Sequence, residues 1–265
     1  MITDRFPSLK GLILDMDGVL WKDVEPIVDL PSVFGRIEGL GLKVVLATNN
    51  ATKRIEEYLE KFYRFGVELS PTQIITSAEV AADYLREFAN SDKPVYVVGT
   101  DSLKHVVRSA GFVVADEADY QTSGAVIVGM DTEINFRKLT NATLLIRNGA
   151  LFVATNPDVT FPTPLGQIPG AGAIVSAIQV ASQKEPVTIG KPYPAMFQKA
   201  FSIMNLDPLE VMGVGDRLET DIYGAQRASC LSGCVLSGVS TKEMAEAWQP
   251  SIDIIAEDLL RLLND

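Results

Sequence analysis

Short apolar runs alternate with longer amphipathic stretches along the 265 residues. The apolar run 11–14 is continuous and has the length of a buried strand, predicted over 9–14. A helical segment follows at about 30–40 and closes on Gly39 and Gly41, since glycine readily ends a helix. Lys43-Val44-Val45-Leu46-Ala47 predicts a second buried strand. A charged amphipathic helix then runs to about residue 65, with Asn50 or Thr52 as its N-cap. Ile74-Ile75-Thr76-Ser77 predicts a third strand, with a helix at 78–88. From about residue 80 a smaller α/β pattern repeats. Its strands fall at 94–98, 112–114, 125–128 and 151–154, and its helices at 101–110 and 135–148. A loop rich in Pro and Gly at 156–172 and a helix of small residues to about 182 complete it. Gln183-Lys184-Glu185-Pro186 marks a junction. Beyond it come a strand at 187–189, a helix at 193–204, a strand at 211–214, a helix to 228, a strand at 233–236 and two terminal helices. Strands that alternate with helices predict parallel sheets. The pattern predicts one domain from 1–80 with 184–265, and a second, inserted domain at 81–183.

The strand ends carry unusual chemistry. Asp15 and Asp17 follow the run 11–14, with Gly18 next. Two carboxylates at the end of a buried strand repel each other and cost desolvation. Folding alone does not ask for them, whereas a divalent cation with a phosphoryl substrate does. In open α/β sheets, ligands sit just outside the carboxyl ends of the strands. Three more strands end in polar residues: Thr48-Asn49-Asn50, Lys191, and Asp216 with Asp221. Each alone has an ordinary explanation, as a turn, a surface lysine or a helix cap. Together, on the one edge where a parallel sheet gathers its strand ends, they read as convergent groups of one site. Ala154-Thr155-Asn156-Pro157 echoes Ala47-Thr48-Asn49-Asn50, either as common turn chemistry or as a second loop facing the same pocket.

Charge narrows the partners. The balance is 23 − 34 = −11, with a pI near 4.7. An acidic surface argues against nucleic acid, and an anionic substrate needs help from a local cation. Cys230 and Cys234 have no nearby His and read as core packing. The one histidine, His105, falls in a predicted helix and reads as a surface or packing residue, so acid–base work rests on carboxylates and lysine. Trp21 either packs beside the mouth of the site or belongs to the core. No apolar segment approaches the ~20 residues of a membrane span, and nothing resembles a signal peptide. The expectation is a cytoplasmic protein without a membrane partner.

Asp15-Met16-Asp17-Gly18-Val19-Leu20 resembles the first motif of the haloacid dehalogenase-like (HAD) superfamily, Thr48 the second, Lys191 the third and Gly215-Asp216 with Asp221 the fourth. Thr48-Asn49-Asn50-Ala51-Thr52, the long insertion, Gly190-Lys191-Pro192 and the segment 215–221 are similar to subfamily IIA, the NagD-like phosphatases and p-nitrophenyl phosphatases. The resemblance covers essentially the whole chain. It implies an α/β fold: a Rossmann-like parallel-sheet core with an inserted α/β cap of the C2a type. It implies a Mg²⁺-dependent phosphatase that hydrolyses small phosphomonoesters (sugar phosphate, nucleotide or p-nitrophenyl phosphate-like) through an aspartyl-phosphate. In that scheme Asp15 is the nucleophile, Asp17 the acid and then the base, and Lys191 the cation that steadies Asp15 and the phosphoryl oxygens. Thr48 and the N–H groups of Asn49 and Asn50 hold the phosphoryl group, and Gly18 admits close backbone approach. The metal is implied on the Asp15 carboxylate, the Asp17 backbone carbonyl and Asp216, with Asp221 acting through water. Within the loop 156–170, Asn156 and Phe161 are expected to contact the leaving group. A phosphomutase and a non-catalytic phosphosugar-binding module remain alternatives on the same fold, and a homodimer through the cap is compatible with it. A dehalogenase has no use for Asp17, because no leaving oxygen needs a proton.

Overall fold

The computed structural model describes residues 1–116, 118–163 and 165–265. They form two units. The first comprises Met1–Thr48, Ile55–Ile75 and Lys191–Asp265, and the second Asn49–Arg54 and Thr76–Gly190.

The first unit is built on a six-stranded sheet. Its order is Ile254–Ala256, Leu231–Val235, Val211–Gly215, Gly11–Leu14, Lys43–Thr48, Ile74–Thr76. Gly11–Leu14 is buried along its whole length and pairs in parallel on both sides, with Leu14 opposite Val214 and Leu46. An all-apolar run is what a central parallel strand requires. The chain leaves this strand toward Lys43–Thr48 and later returns to its other side at Val211–Gly215. That reversal is the switch point where an open parallel sheet makes its ligand crevice. Asp15 and Asp216 are the next residues after the two strands that flank it. Helix Ile55–Arg64 shows how the core is closed. Tyr58 and Phe62 are buried, and Ile55, Leu59 and Phe65 are half-buried on the same stripe. Glu56 and Glu57 in its first turn and Lys61 and Arg64 in its last complement the helix dipole. The stripe joins one core with Leu12, Leu14, Trp21, Leu46 and Leu262.

The second unit has its own parallel sheet, ordered Val187–Thr188, Leu151–Ala154, Ala125–Val128, Val95–Val98. It also has its own core, which includes Val98, Val126, Phe152, Ile146 and Ile178.

Several elements differ from expectation. The strand before Lys191 pairs with Leu151–Ala154 in the second sheet, so Lys191 does not extend a strand of the first. Two residues carry no local signal of which sheet they join. The segment 112–114 contributes only a bridge, Val95 to Val114. The loop at 156–172 contains an antiparallel hairpin, Thr160–Thr163 with Gly166–Pro169, that sets Phe161 opposite Ile168. Pro162 and Pro169 hide it in the sequence, because proline usually signals a loop yet is tolerated in a two-stranded edge ribbon. A π-helical turn, Leu218–Ile222, precedes helix Tyr223–Arg227 where one continuous helix was expected. Ile254–Ala256 is an added edge strand. Among the described residues no helix is long and apolar enough to cross a membrane.

Candidate active site

Asp15 continues the register of its strand by one residue, its N–H donating to the Val214 carbonyl at 2.9 Å. This fixes the carboxylate at the sheet edge. Lys191 Nζ lies 2.6 Å from Asp15 Oδ1 and 2.6 Å from Asp221 Oδ1, and donates to the Ala47 carbonyl at 2.8 Å. Lys191 is 3% exposed. Burial alone would lower its pKa, but Asp15 and Asp221 outweigh burial and hold the ammonium firmly charged. Burial pushes the Asp15 carboxyl well above its ordinary value, Lys191 opposes this, and Asp221 and Asp216 add to the rise. One oxygen of Asp15 is thus engaged by an ammonium.

Asp216 and Asp221 are both buried, at 1% and 4% exposure. Asp221 Oδ2 accepts from the Arg217 N–H at 3.2 Å, across the turn that carries it. Asp216 Oδ2 accepts from the Val239 N–H at 2.8 Å, whereas its Oδ1 is buried with no hydrogen-bond partner. Burial, then the neighbouring Asp221, push the Asp216 carboxyl up to about 6. A side chain on Gly18, which has φ +86°, would lie 2.5 Å from the Asp216 carboxyl carbon. One on Gly238 would overlap the same carboxylate. Two glycines therefore let backbone close around Asp216. Carboxylate oxygens of Asp15, Asp216 and Asp221 all lie within 4.8 Å of one another. Fully ionised, three carboxylates and one ammonium sum to −2. A buried oxygen cluster with that charge and an orphaned acceptor fits a hard divalent cation.

Asp17 is exposed, and its Oδ1 accepts from the indole N–H of Trp21 at 2.9 Å. Its side chain stands apart from the three-carboxylate cluster. Thr48 is buried at the end of its strand, and burial pushes up the pKa of the neighbouring Tyr58 phenol. Asn49 and Asn50 open the second unit. The Asn49 amide donates to Asp158 at 3.1 Å, and Asn50 Oδ1 accepts from the Thr52 N–H at 2.9 Å. Asn156 is engaged by the protein itself. It is buried, and its amide donates to the Asn49 carbonyl at 2.8 Å and to Thr155 Oγ1 at 3.2 Å, while its oxygen accepts from the Asp158 N–H. These bonds occupy the side chain and make it a fastener of the Asn49 backbone. Phe161 lies half-buried on the hairpin.

Sequence reasoning passed over three contributors. Val239 binds Asp216 through its backbone, and Ser237 Oγ donates to the Gly18 carbonyl at 2.7 Å, so the segment 237–240 supports both. Backbone donors leave no side-chain signature. Tyr58 reads as one more aromatic on a core stripe. His105 is exposed on helix Asp101–Ser109 in the second unit. Cys230 and Cys234 are buried free thiols, each pushed up to about 12 by burial.

Comparison with known proteins places this geometry in context. The haloacid dehalogenase-like hydrolase family matches residues 12–113, and a HAD-hydrolase-like family matches residues 188–262. An acid sugar phosphatase of Staphylococcus saprophyticus is 35% identical over 241 residues, 90% of this chain and 91% of its own. The solved p-nitrophenyl phosphatase of Archaeoglobus fulgidus is similar with TM-score 0.89 and 31% identity over 97% of this chain and 98% of that one. NagD of E. coli K-12 gives 0.85 and 31% over 95% and 97%. A glycerol phosphate phosphatase of Mycobacterium tuberculosis, solved in complex with magnesium, gives 0.88 and 30% over 97% of this chain and 77% of its own.

Proposed function

We propose that this chain, which belongs to the haloacid dehalogenase-like hydrolases and within them to the NagD-like and p-nitrophenyl phosphatase branch, hydrolyses small-molecule phosphomonoesters with Mg²⁺ through an aspartyl-phosphate on Asp15. The observation that carries the proposal is the buried Asp15–Asp216–Asp221 cluster with Lys191 at its centre. The relatives' names, acid sugar phosphatase, p-nitrophenyl phosphatase and a magnesium complex of a glycerol phosphate phosphatase, support the substrate class and the ion. In this reading the unit Thr76–Gly190 with Asn49–Arg54 is the substrate-selecting cap.

Asp15 and Asp216 would hold the ion with the Asp17 carbonyl, and Asp221 would support them from behind. When bound, the ion offsets the repulsion between anionic Asp15 and the phosphate oxygens. Lys191 pins one oxygen of Asp15, and the other attacks phosphorus. The bond from phosphorus to the leaving oxygen breaks, and that oxygen takes its proton from Asp17. Water then attacks phosphorus in the acyl phosphate, Asp17 takes a proton from the water, and the bond to Asp15 breaks. Lys191 and the Thr48 hydroxyl stabilise the charge that builds on the phosphoryl oxygens.

The test is release of inorganic phosphate from p-nitrophenyl phosphate and a panel of sugar phosphates and nucleotides. Release with Mg²⁺ that stops on adding EDTA is expected. Release that ignores EDTA, or none from any substrate with Mg²⁺ present, overturns the proposal.

A further inference from the structure

Trp21 is 1% exposed and packs against Phe62 with ring centroids 5.0 Å apart. A core role explains the ring but not the nitrogen. A buried indole N–H needs an acceptor, and here the acceptor is Oδ1 of the exposed Asp17, at 2.9 Å. The backbone repeats the link: the Gly18 N–H donates to the Trp21 carbonyl at 2.8 Å, and Asp17 and Trp21 form a bridge. The Lys61 ammonium stands 3.7 Å from the centroid of the indole ring and donates to the Asp23 carbonyl at 2.8 Å. A cation on the ring face draws electron density from the indole and strengthens its N–H as a donor. The carboxylate is therefore exposed to solvent while one of its oxygens is anchored to a buried aromatic cluster of the first unit's core.

We infer that Trp21 is a positioning residue for Asp17: the buried indole fixes Oδ1, which leaves Oδ2 as the oxygen that presents the proton to the leaving group. The inference rests on the proposed assignment of Asp17 as the acid and deepens it. An unanchored surface carboxylate samples several rotamers, and proton transfer falls off when the geometry loosens.

Two replacements test it. Trp21→Phe removes the N–H with some loss of volume. Replacing Trp21 by benzothienylalanine, in which sulfur stands for the N–H, keeps the shape of the bicyclic ring. The readout is kcat/KM on an alkyl phosphate and on p-nitrophenyl phosphate. This ratio covers only steps up to departure of the leaving group, so Asp17's later work as a base does not enter. p-Nitrophenolate needs little protonation, whereas an alkoxide needs it fully. The benzothienyl variant should lose roughly tenfold on the alkyl ester and less than about threefold on p-nitrophenyl phosphate. An equal loss on both, or none on either, overturns the inference, because a packing role does not discriminate leaving groups. Asp17→Asn run alongside separates the two levels. If it discriminates between the esters and the Trp21 variants do not, only the positioning role fails. If Asp17→Asn treats both esters alike, the acid assignment itself fails and the positioning role with it.

Discussion

The charge balance of the carboxylate cluster makes a stability prediction that runs against the usual effect of altering a buried site. Asp216→Asn should stabilise the metal-free protein at neutral pH. The amide oxygen keeps the bond from the Val239 N–H, now 2.8 Å, and the amide nitrogen turns the orphaned acceptor into a donor facing the other carboxylates. The magnitude follows from Asp216's own proton affinity. Its carboxyl is raised from an ordinary 3.8 to about 6. A folded-state value above the unfolded one means that its stabilising contribution is complete below about pH 4 and is lost as pH rises through about 6. At 1.36 kcal/mol per pH unit, keeping Asp216 ionised at pH 7.5 costs the metal-free fold about 3 kcal/mol. The coupling to Asp15 and Asp221 spreads part of this over the cluster, so about 1–3 kcal/mol is expected for the single substitution. For a chain of this size that is roughly 2–4 °C in Tm per kcal/mol. The assay is thermal unfolding of both proteins from pH 5 to 8, in EDTA and in excess Mg²⁺. In EDTA the wild type should lose Tm as pH rises and the variant should lose less, so that the variant melts higher at pH 7.5 and its advantage shrinks to about half at pH 5. Mg²⁺ should raise the wild type and leave the variant nearly unchanged. A variant that melts lower in EDTA at pH 7.5, or one that gains as much from Mg²⁺, refutes the reasoning.

Other perturbations separate the roles of neighbouring residues. Lys191→Met strips the cluster of its ammonium, and removing one partner of a buried pair costs about 3–5 kcal/mol. Urea unfolding in EDTA should show that loss at pH 7.5 and a smaller one at pH 5, where Asp216 binds its proton. Asn156→Ala should lower kcat/KM roughly tenfold on every substrate alike if its main work is to hold the backbone of Asn49. Phe161→Ala should lower kcat/KM selectively, for the preferred ester and little for p-nitrophenyl phosphate, if the hairpin grips the leaving group as proposed. The two variants measured on the same pair of substrates distinguish a fastener from a selectivity residue.

What the sequence made legible was local. The run 11–14, the aspartate pair behind it and the strands at 43–47 and 211–214 are continuous apolar segments with polar ends. Position and chemistry are both written in a few adjacent residues there. The route of Lys191 was not legible. Val187–Thr188 is too short to declare its partner, and its pairing with Leu151–Ala154 is visible only in the folded chain. Asp216 was visible, but the loop that holds it was not, since Val239 acts through a backbone N–H and Gly238 through the absence of a side chain. Asn156 resembled a ligand contact because an Asn behind a strand suits either a ligand or a backbone carbonyl. It is buried and makes three bonds, one of them to the Asn49 carbonyl. Trp21 carried both meanings at once, with its ring in the core and its nitrogen on Asp17.

The central claim is that Asp15 carries the phosphoryl group. Rapid acid quench during turnover of a ³²P-labelled sugar phosphate with Mg²⁺ tests it most directly. The account predicts label on the proteolytic peptide that contains Asp15, removed by hydroxylamine as an acyl phosphate is, and absent from Asp15→Asn, which should also lack turnover. Turnover without any protein-bound label, together with an active Asp15→Asn, would contradict it.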